Sequence, residues 1–231
     1  MAIVILLAAG SGTRFDSSSP KQLIELGDKS LFEHAFTAFD NHPEIDEIVV
    51  VSSKQLLPEL ETLANRCANK TTQVVEGGQT RAASSYEGIC SLRTPENLKV
   101  LIHDAARPFV SGELITRCLS ALDHFDAVSP VLPLDETIFE LLDERVQIIP
   151  DRSTHRRVQT PQGFKLHTIK TAHEKFRKDQ SFLPTDDCGI VLKYSPHTPI
   201  GVVNGDETNI KITHPTDMIL ARAIHYENTN S

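Results

Sequence analysis

Short runs of Val, Ile and Leu recur along the chain and are separated by longer segments of mixed polarity. Within a run the apolar residues are mostly continuous rather than alternating, which is typical of strands buried on both faces of a sheet. The runs predict six strands, at residues 3–7, 47–51, 74–75, 99–102, 127–132 and 200–203.

Between the early strands, apolar positions recur three and four residues apart, which is the period of an amphipathic helix. Three such stripes are Leu31, Ala35, Phe36 and Phe39; Leu56, Leu60, Leu63 and Cys67; and Leu114, Ile115, Cys118, Leu119 and Leu122. Strands that alternate with helices predict βαβ units, and therefore an α/β fold with a doubly wound, mostly parallel, Rossmann-like sheet. In such a sheet ligands bind beyond the carboxyl ends of the strands.

Residues 135–150, DETIFELLDERVQIIP, break this alternation. They predict two short strands around a turn at Asp143 and Glu144, and so a protruding β-hairpin arm at about 134–157. Such an arm either packs on a second subunit or lies as a solvent-exposed flap. Because the chain has no internal repeat and no long linker, we expect a single domain over residues 1–231.

Composition narrows the function mainly through charge. The 231 residues are 39% hydrophobic and 23% charged, which is ordinary for a globular protein, and the net charge is −8. An acidic chain argues against nonspecific binding to nucleic acid or to an anionic membrane, so an anionic ligand must be met by a local cluster of cations. Residues 2–7 are apolar but too few to span a bilayer, and we expect them to form a core strand rather than a leader.

The four cysteines, Cys67, Cys90, Cys118 and Cys188, lie far apart and form no C-x-x-C pair. This spacing disfavours a disulfide framework or a structural zinc site and favours a reducing cytoplasm.

The loop after the first strand combines bare backbone with fixed charge. Gly10 and Gly12 permit backbone amides to point into a cavity, and Arg14 and Lys21 add two cations. Pro20 restricts the chain just before Lys21. Together these features suit a polyphosphate, although an ordinary turn with solvated charges has the same glycines.

The segment HDAARP places Asp104 and Arg107 directly after another predicted strand. A carboxylate there can ligate Mg²⁺ or hold a sugar hydroxyl, and the arginine can bind an anion. The alternative is an Asp–Arg ion pair that closes a turn. We expect His103 to be structural.

Four further stretches carry candidate residues, each with a plain structural alternative. EGGQTRAAS exposes amides at Gly77 and Gly78 before a helix that carries Arg81 and Ser84. DRSTHRRVQT supplies Arg152, Arg156, Arg157 and Thr160, a phosphate-binding cluster or a solvated one. TDD, residues 185–187, predicts an N-capping Thr185 whose following carboxylates, Asp186 and Asp187, start a helix or orient a polyol. NIKIT places Lys211 in an alternating strand before a helix opened by Pro215.

Read in order, these motifs resemble the 2-C-methyl-D-erythritol 4-phosphate cytidylyltransferases along nearly the whole chain. The matches are LLAAGSGTRF with PKQ, EGGQTRAAS, HDAARP, QTPQGF, TDD and NIKIT. The resemblance implies a nucleotidyltransferase that transfers CMP from CTP to the sugar-alcohol phosphate and releases pyrophosphate, with Mg²⁺ present. It also implies a homodimer joined through the arm.

The resemblance implies a role for each matching position. Catalytic cations are expected at Arg14, Lys21, Arg152 and Lys211. The CTP site is expected at Ala8, Ala9, Gly10, Gly12, Gly77, Arg81, Ser84, Asp104 and Ala105, with Asp104 also beside the metal. The acceptor is expected at Arg107, Thr137, Arg152, Thr160, Thr185, Asp186 and Lys211.

His155 and Arg156 depart from the aromatic or apolar pair that this family usually has before QTPQ. RPF and DDCGI also lean toward enzymes that cytidylylate ribitol 5-phosphate, whereas LAAG and HDAARP are closer to the methylerythritol group. Two other functional classes are alternatives. A nucleotide-binding regulator without turnover is expected to lack the loop cations, and a dinucleotide-dependent redox enzyme needs a different glycine pattern.

Overall fold

The computed structural model describes residues 1–10, 20–93, 97–179 and 181–230. Its strands are β1 (Ala2–Leu7), β2 (Glu25–Leu26), β3 (Lys29–Ser30), β4 (Glu47–Ser52), β5 (Thr71–Glu76), β6 (Lys99–Asp104), β7 (Ala127–Pro133), β8 (Glu140–Leu142), β9 (Arg145–Ile148), β10 (Arg156–Val158), β11 (Gln162–Lys165) and β12 (Ile200–Asn204). Its α-helices are α1 (Leu31–Asp40), α2 (Leu57–Cys67), α3 (Arg81–Ser91), α4 (Gly112–Ala121), α5 (Leu166–Phe176), α6 (Asp187–Tyr194) and α7 (Asp217–Asn230).

Eight strands form the central sheet, in the order β10-β7-β11-β6-β1-β4-β5, with β12 paired to β7. The pairs β1–β4, β1–β6, β4–β5 and β7–β12 are parallel, whereas β11 runs antiparallel to both β6 and β7, and β10 runs antiparallel to β7. The prediction of a mostly parallel α/β sheet is therefore confirmed. The antiparallel strand β11 was not predicted.

Helices cover both faces of the sheet, as a doubly wound fold requires. Alternate residues of β1 point to opposite faces, so Val4 packs in one core cluster and Ile5 in the other. The first cluster includes side chains of α1, α2 and α4, and the second includes side chains of α3, α5 and α6. Burial on both faces explains why the central strands read as continuous apolar runs.

Strand β5 extends beyond the two residues that its apolar pair predicted. It lies at the edge of the sheet and is at most partly buried, so Thr, Gln and Glu occupy its other positions. None of the helices in the described ranges is long and apolar enough to cross a membrane.

The predicted arm is present as the hairpin of β8 and β9, which forms a sheet separate from the central one. Its turn is at Asp143 and Glu144, and both adopt positive φ values, 47° and 61°. Two consecutive residues of positive φ are the geometry that matches the twist of a two-residue hairpin. Six large apolar side chains in residues 139–149 are between 49% and 62% exposed.

Two local predictions are wrong. Lys211 does not lie in a strand, because no sheet partner pairs with residues 209–213. The apolar residue Ile212 in this segment is buried with Leu26, Leu31 and Met218 in a small cluster separate from the sheet. Thr185 is exposed and does not cap α6, because the side chain of Asp186 accepts the hydrogen bond from the amide of Gly189. The last helix begins at Asp217, two residues after Pro215.

Candidate active site

A cavity of about 400 Å³ opens at the carboxyl ends of β1 and β6, beside the first turn of α3. The two strands are parallel neighbours, so their ends meet at one edge of the sheet, where α/β folds bind ligands. Seven of the predicted site residues line this cavity: Ala9, Gly10, Lys21, Arg81, Ser84, Asp104 and Lys211. Gly12 and Arg14 lie outside the described residues.

Asp104, the last residue of β6, is the electrostatic centre of the cavity. Its Oδ1 lies 3.0 Å from Nε of Arg81 and its Oδ2 lies 2.8 Å from Nζ of Lys211. Burial by itself raises the pKa of Asp104, but the charges of Arg81 and Lys211 outweigh burial and hold that pKa well below its ordinary value. The carboxylate is therefore ionised and bridges two cavity cations.

A chain of hydrogen bonds beneath the cavity fixes the backbone of Asp104. The amide of Asp104 donates to Oγ1 of Thr160 (3.2 Å), and that hydroxyl lies 3.0 Å from Nδ1 of His103. Nε2 of His103 lies 3.0 Å from the carbonyl of Arg107 and must donate, since a carbonyl only accepts. His103 is therefore a neutral structural residue, as predicted, and burial lowers its pKa to about 4.

Arg107 does not pair with Asp104 through its side chain, contrary to the ion-pair alternative. Its Nη1 donates to the carbonyl of Asn209 (2.8 Å) and its Nη2 to the carbonyl of Val158 (3.5 Å). The side chain thus braces the segment that carries Lys211 against β10. Neither Arg107 nor Thr160 lines the cavity.

A pair of buried amides, which the motifs did not single out, holds the Lys211 segment in place. Nε2 of Gln159 donates to the carbonyls of Asp206 (2.9 Å) and Asn209 (3.2 Å), and its Oε1 accepts from the amide of Asp206 (3.1 Å). Nδ2 of Asn209 donates to the carbonyl of Thr160 (2.8 Å). The QTPQ and NIKIT motifs are therefore joined, and Lys211 is placed by contacts 50 residues apart in sequence.

The PKQ motif organises the other wall. Nε2 of Gln22 donates to the carbonyls of Ala8 and Gly10, both at 2.6 Å, so it fixes the backbone that follows β1. Nζ of Lys21 donates to the carbonyl of Ile212 (2.8 Å), which ties this motif to the Lys211 segment. Gln22 lines the cavity, although no role was predicted for it from the motif.

Gly77 is required by close packing rather than by its φ angle. A Cβ at this position would lie 2.7 Å from Oγ of Ser84 and 3.0 Å from Cβ of Ala9. The glycine therefore lets the loop before α3 approach the loop after β1, although Gly77 itself does not line the cavity.

The remaining predicted residues do not line the cavity of this single chain. Ala8 and Ala105 are buried behind it, and Asp186 caps α6 and accepts a hydrogen bond from Nε2 of Gln162 (2.8 Å). Thr137, Arg152 and Thr185 are exposed, and Nη1 of Arg152 donates to the carbonyl of Asp135 at the base of the arm.

Asp187, the second carboxylate of TDD, is a buried partner of the site. It accepts hydrogen bonds from Nη1 of Arg81 (2.7 Å) and from Oγ of Ser85 (2.6 Å), and Nε2 of His173 lies 3.0 Å from it. Burial by itself raises the pKa of Asp187, but the charge of Arg81 outweighs burial, and the pKa falls to about 2. The TDD motif identified Asp187 as a candidate residue but did not indicate that Arg81 is its partner.

The cavity is suited to bring two anions together. Lys21, Arg81 and Lys211 supply positive charge, and its described lining contains no histidine or cysteine that could act as a nucleophile. Such a site favours direct transfer between bound reactants, which needs alignment and charge stabilisation rather than a covalent intermediate.

Comparisons with known proteins found similar sequences and structures over nearly the whole chain. The profile of the 2-C-methyl-D-erythritol 4-phosphate cytidylyltransferase family matches residues 2–227. The enzyme of that name from Thermobifida fusca is 40% identical over 226 residues, which cover 95% of this chain and 91% of the relative. The structure of 4-diphosphocytidyl-2C-methyl-D-erythritol synthase from Anaerococcus prevotii matches with a TM-score of 0.86 and 31% identity, covering 96% of this chain and 95% of that one.

A second kind of relative also matches. The bifunctional ribulose 5-phosphate reductase/CDP-ribitol pyrophosphorylase Bcs1 of Haemophilus influenzae is 38% identical over 223 residues. The match covers 95% of this chain but 47% of that longer protein.

Proposed function

Because this chain belongs to the 2-C-methyl-D-erythritol 4-phosphate cytidylyltransferase family, we propose that CTP and 2-C-methyl-D-erythritol 4-phosphate react in the cavity at the ends of β1 and β6. The protein is a nucleotidyltransferase of isoprenoid precursor biosynthesis. It transfers the CMP unit of CTP to the phosphate of the acceptor and releases pyrophosphate. The observation that carries the proposal is that Lys21, Arg81 and Lys211 line one cavity, where Arg81 and Lys211 also pair with Asp104.

The reaction requires little proton transfer. A phosphate oxygen of the acceptor forms a bond to the α-phosphorus of CTP, and the bond from that phosphorus to the bridging oxygen breaks as pyrophosphate leaves. The nucleophile is already an anion, so the protein has to overcome repulsion and align the two phosphates. Cations fixed before binding do this without reorganisation in the transition state.

Residue roles follow from the position of each group. We assign Lys21 to the phosphates of CTP and Lys211 to the phosphate of the acceptor. Arg14 lies outside the described residues, and we give it the same role as Lys21 because the family resemblance implies it. Arg81 and Ser84 lie on the first turn of α3 and form the nucleoside side of the cavity, beside the close approach of the two loops at Gly77. Arg107 and Thr160 act from behind the cavity by holding Asp104 and the Lys211 segment.

Mg²⁺ is the divalent cation that fits this site. Asp104 is the only carboxylate among the described residues that line the cavity. In the described part of the chain, no group of three or more His, Cys, Asp or Glu side chains could hold a metal by itself. This donor set fits a cation held jointly by Asp104 and nucleotide phosphates, as Mg²⁺ commonly is. When bound, Mg²⁺ neutralises charge on those phosphates.

We place the working enzyme in a homodimer joined through the arm. Thr137 and Arg152 are expected to contact the acceptor, yet they lie outside the cavity of their own chain. The arm also exposes six large apolar side chains, an amount that favours burial against another protein surface. A second copy that covers the arm would bring these two residues to the neighbouring cavity. The four unpaired cysteines support a cytoplasmic location.

Ribitol 5-phosphate is the alternative acceptor, favoured by the match to the CDP-ribitol pyrophosphorylase. The two acceptors differ in their carbon chain but present the same terminal phosphate, so the cluster of cations serves either one. The identity of the acceptor therefore rests on the family match rather than on the cavity charges.

Pyrophosphate release decides between the acceptors. Purified protein is incubated with CTP, Mg²⁺ and either 2-C-methyl-D-erythritol 4-phosphate or ribitol 5-phosphate. We expect kcat/KM to be higher for the methylerythritol phosphate, and turnover to stop when EDTA removes the cation. A higher kcat/KM with ribitol 5-phosphate would establish the alternative, and no pyrophosphate with either acceptor would exclude both.

A further inference from the structure

We propose that Asp187 is a positioning residue for nucleotide binding, which acts by holding the guanidinium of Arg81 in the cavity wall. The inference rests on the proposed function, since it concerns the affinity of that cavity for CTP. Asp187 does not line the cavity, whereas Arg81 does.

Arg81 is held from two sides. Its Nη1 donates to Oδ2 of Asp187 at 2.7 Å, and its Nε donates to Oδ1 of Asp104 at 3.0 Å. The planar guanidinium has its donors in a fixed geometry, so two carboxylates in different directions define both its place and its orientation. With one carboxylate alone, the side chain could rotate about the remaining contact.

Asp187 is itself fixed without any ligand. Its side chain is fully buried, and its Oδ1 is held by Oγ of Ser85 (2.6 Å) and Nε2 of His173 (3.0 Å). Its backbone amide donates to Oε1 of Gln162 at 3.1 Å, which ties the start of α6 to β11. The anchor for Arg81 is therefore part of the rigid core, whereas Arg81 is 27% exposed.

Charge sharing gives Asp187 a second effect. Asp104 pairs with both Arg81 and Lys211, so one cavity carboxylate faces two cations. Asp187 supplies the second negative charge for Arg81. Without it, Arg81 would draw more strongly on Asp104 and compete with Lys211 for the same carboxylate.

A purely structural role for Asp187 predicts a different pattern of effects, and a double-mutant cycle separates the two. The variants are Asp187→Asn, Arg81→Met and the combination, because Met keeps the apolar stem of the arginine without its charge. Isothermal titration gives the Kd of CTP for each variant, and initial rates give kcat and the KM of the acceptor. Urea unfolding reports the stability of each variant independently.

If Asp187 acts through Arg81, we expect Asp187→Asn to weaken CTP binding by about 10- to 100-fold, the size of effect that loss of an outer hydrogen-bond partner has at metal sites. In Asp187→Asn, the KM of the acceptor should change by less than about threefold. In the Arg81→Met background, Asp187→Asn should raise the Kd of CTP by less than about a further threefold. Equal losses of affinity in both backgrounds, or wild-type affinity in Asp187→Asn, would overturn the proposal.

Glu33→Gln is the matched control. Glu33 is also a buried carboxylate paired with an arginine, Arg66, at 2.5 Å, but it lies on α1 and does not line the cavity. We expect this variant to lower stability and to keep the wild-type Kd of CTP.

Arg81→Lys keeps the proposal testable if Asp187→Asn does not fold. Lysine retains the charge but cannot bridge two carboxylates in fixed directions, so its Kd should approach that of Arg81→Met. Wild-type affinity in Arg81→Lys would refute the role of the bridge. Wild-type protein that binds CTP but releases no pyrophosphate would refute the proposed function and leave this inference standing, whereas wild-type protein that does not bind CTP would overturn both.

Discussion

We propose that Lys21 stabilises the negative charge of the leaving pyrophosphate. It lines the cavity and its Nζ is within hydrogen-bond distance of the carbonyl of Ile212, so its position is restrained before any substrate binds. A restrained cation costs little reorganisation when negative charge moves onto the leaving pyrophosphate.

Replacing Lys21 with alanine should therefore lower kcat by at least about a hundredfold, since one preorganised charge donor is commonly worth roughly 3 to 4 kcal/mol in the transition state. Arg14→Ala should have a loss of the same order. Pyrophosphate release under saturating CTP measures both. Lys170→Ala, which removes an exposed lysine from α5, is the control and should keep wild-type turnover. A Lys21→Ala enzyme within about tenfold of wild type would remove Lys21 from its assigned role.

At the scale of single residues, sequence motifs located the charged groups that line the cavity but missed several residues that support them. Arg81 begins α3 and Asp104 ends β6, so their convergence could be predicted from parallel topology, whereas Lys211 lies in the irregular segment between β12 and α7. The contact between Arg81 and Asp187 joins residues 106 positions apart, and its partner could not be chosen from spacing alone. Supporting amides such as Asn209 hydrogen-bond to backbone carbonyls. Because every residue has a backbone carbonyl, such a contact cannot be recognised from the residue types in the sequence.

Among the secondary-structure elements, the turn between β2 and β3 links the cavity side of the chain to the C-terminal helix. Gly27 adopts a φ of +68°, and a Cβ there would lie 2.2 Å from Nε2 of His225 on α7. The ring of His225 also packs edge-on against His34, with ring centroids 5.3 Å apart. Gly27 thus serves both the turn and the docking of α7.

Gly27→Ala should lower the free energy of unfolding by about 1 to 2 kcal/mol through the left-handed backbone alone, with an added loss because His225 must move. Urea unfolding at neutral pH measures the total. The double variant Gly27→Ala/His225→Ala removes the clash, so the glycine substitution should cost less in the His225→Ala background than in the wild type. Identical costs in the two backgrounds would show that His225 does not restrict this position.

Some secondary-structure elements could be predicted from the sequence and others could not. The arm was predicted because two short strand-like runs flank a turn at Asp143 and Glu144, and these two residues do form the turn. Strand β11 was missed because it has four residues and includes Gly163, whose missing side chain admits Leu122 and Leu101. Polar and apolar side chains alternate in residues 209–213 as they do in a strand. The apolar residue Ile212 instead packs in a cluster separate from the sheet.

For the whole molecule, the arm determines the predicted oligomeric state. Leu141 and Val146 are paired across the hairpin, so they share one face, and both are at least half exposed. Charges at this pair would be buried without partners if a second copy covers that face.

We expect wild-type protein to sediment at twice the mass of the 25.6 kDa chain and Leu141→Asp/Val146→Asp to sediment at the single-chain mass. Turnover should fall in parallel if the neighbouring arm contributes to each cavity. Ile219→Asp, at an exposed position of α7 outside the arm, should leave the mass unchanged. A wild-type monomer at micromolar concentration would contradict the dimer.

Buried histidines make the stability of the folded chain sensitive to mild acid. His103 is fully buried and neutral, and burial lowers its pKa from 6.5 to about 4. Burial likewise lowers the pKa values of His34 and His42. A proton therefore binds more readily to these histidines in the unfolded chain than in the folded one. The stability that the neutral His103 contributes is complete above pH 6.5 and is lost as the pH falls from 6.5 toward 4.

Acidification to pH 5 should therefore lower the free energy of unfolding by roughly 2 kcal/mol through His103 alone. Urea unfolding at pH 7.5 and pH 5.0 measures the difference. In His103→Gln the amide can still donate to the carbonyl of Arg107 but does not titrate, so the pH-dependent loss should shrink by about that amount even though the variant starts less stable. The comparison uses the slope with pH, so a constant destabilisation cancels. An unchanged slope in His103→Gln would mean that His103 is not the group that takes up the proton.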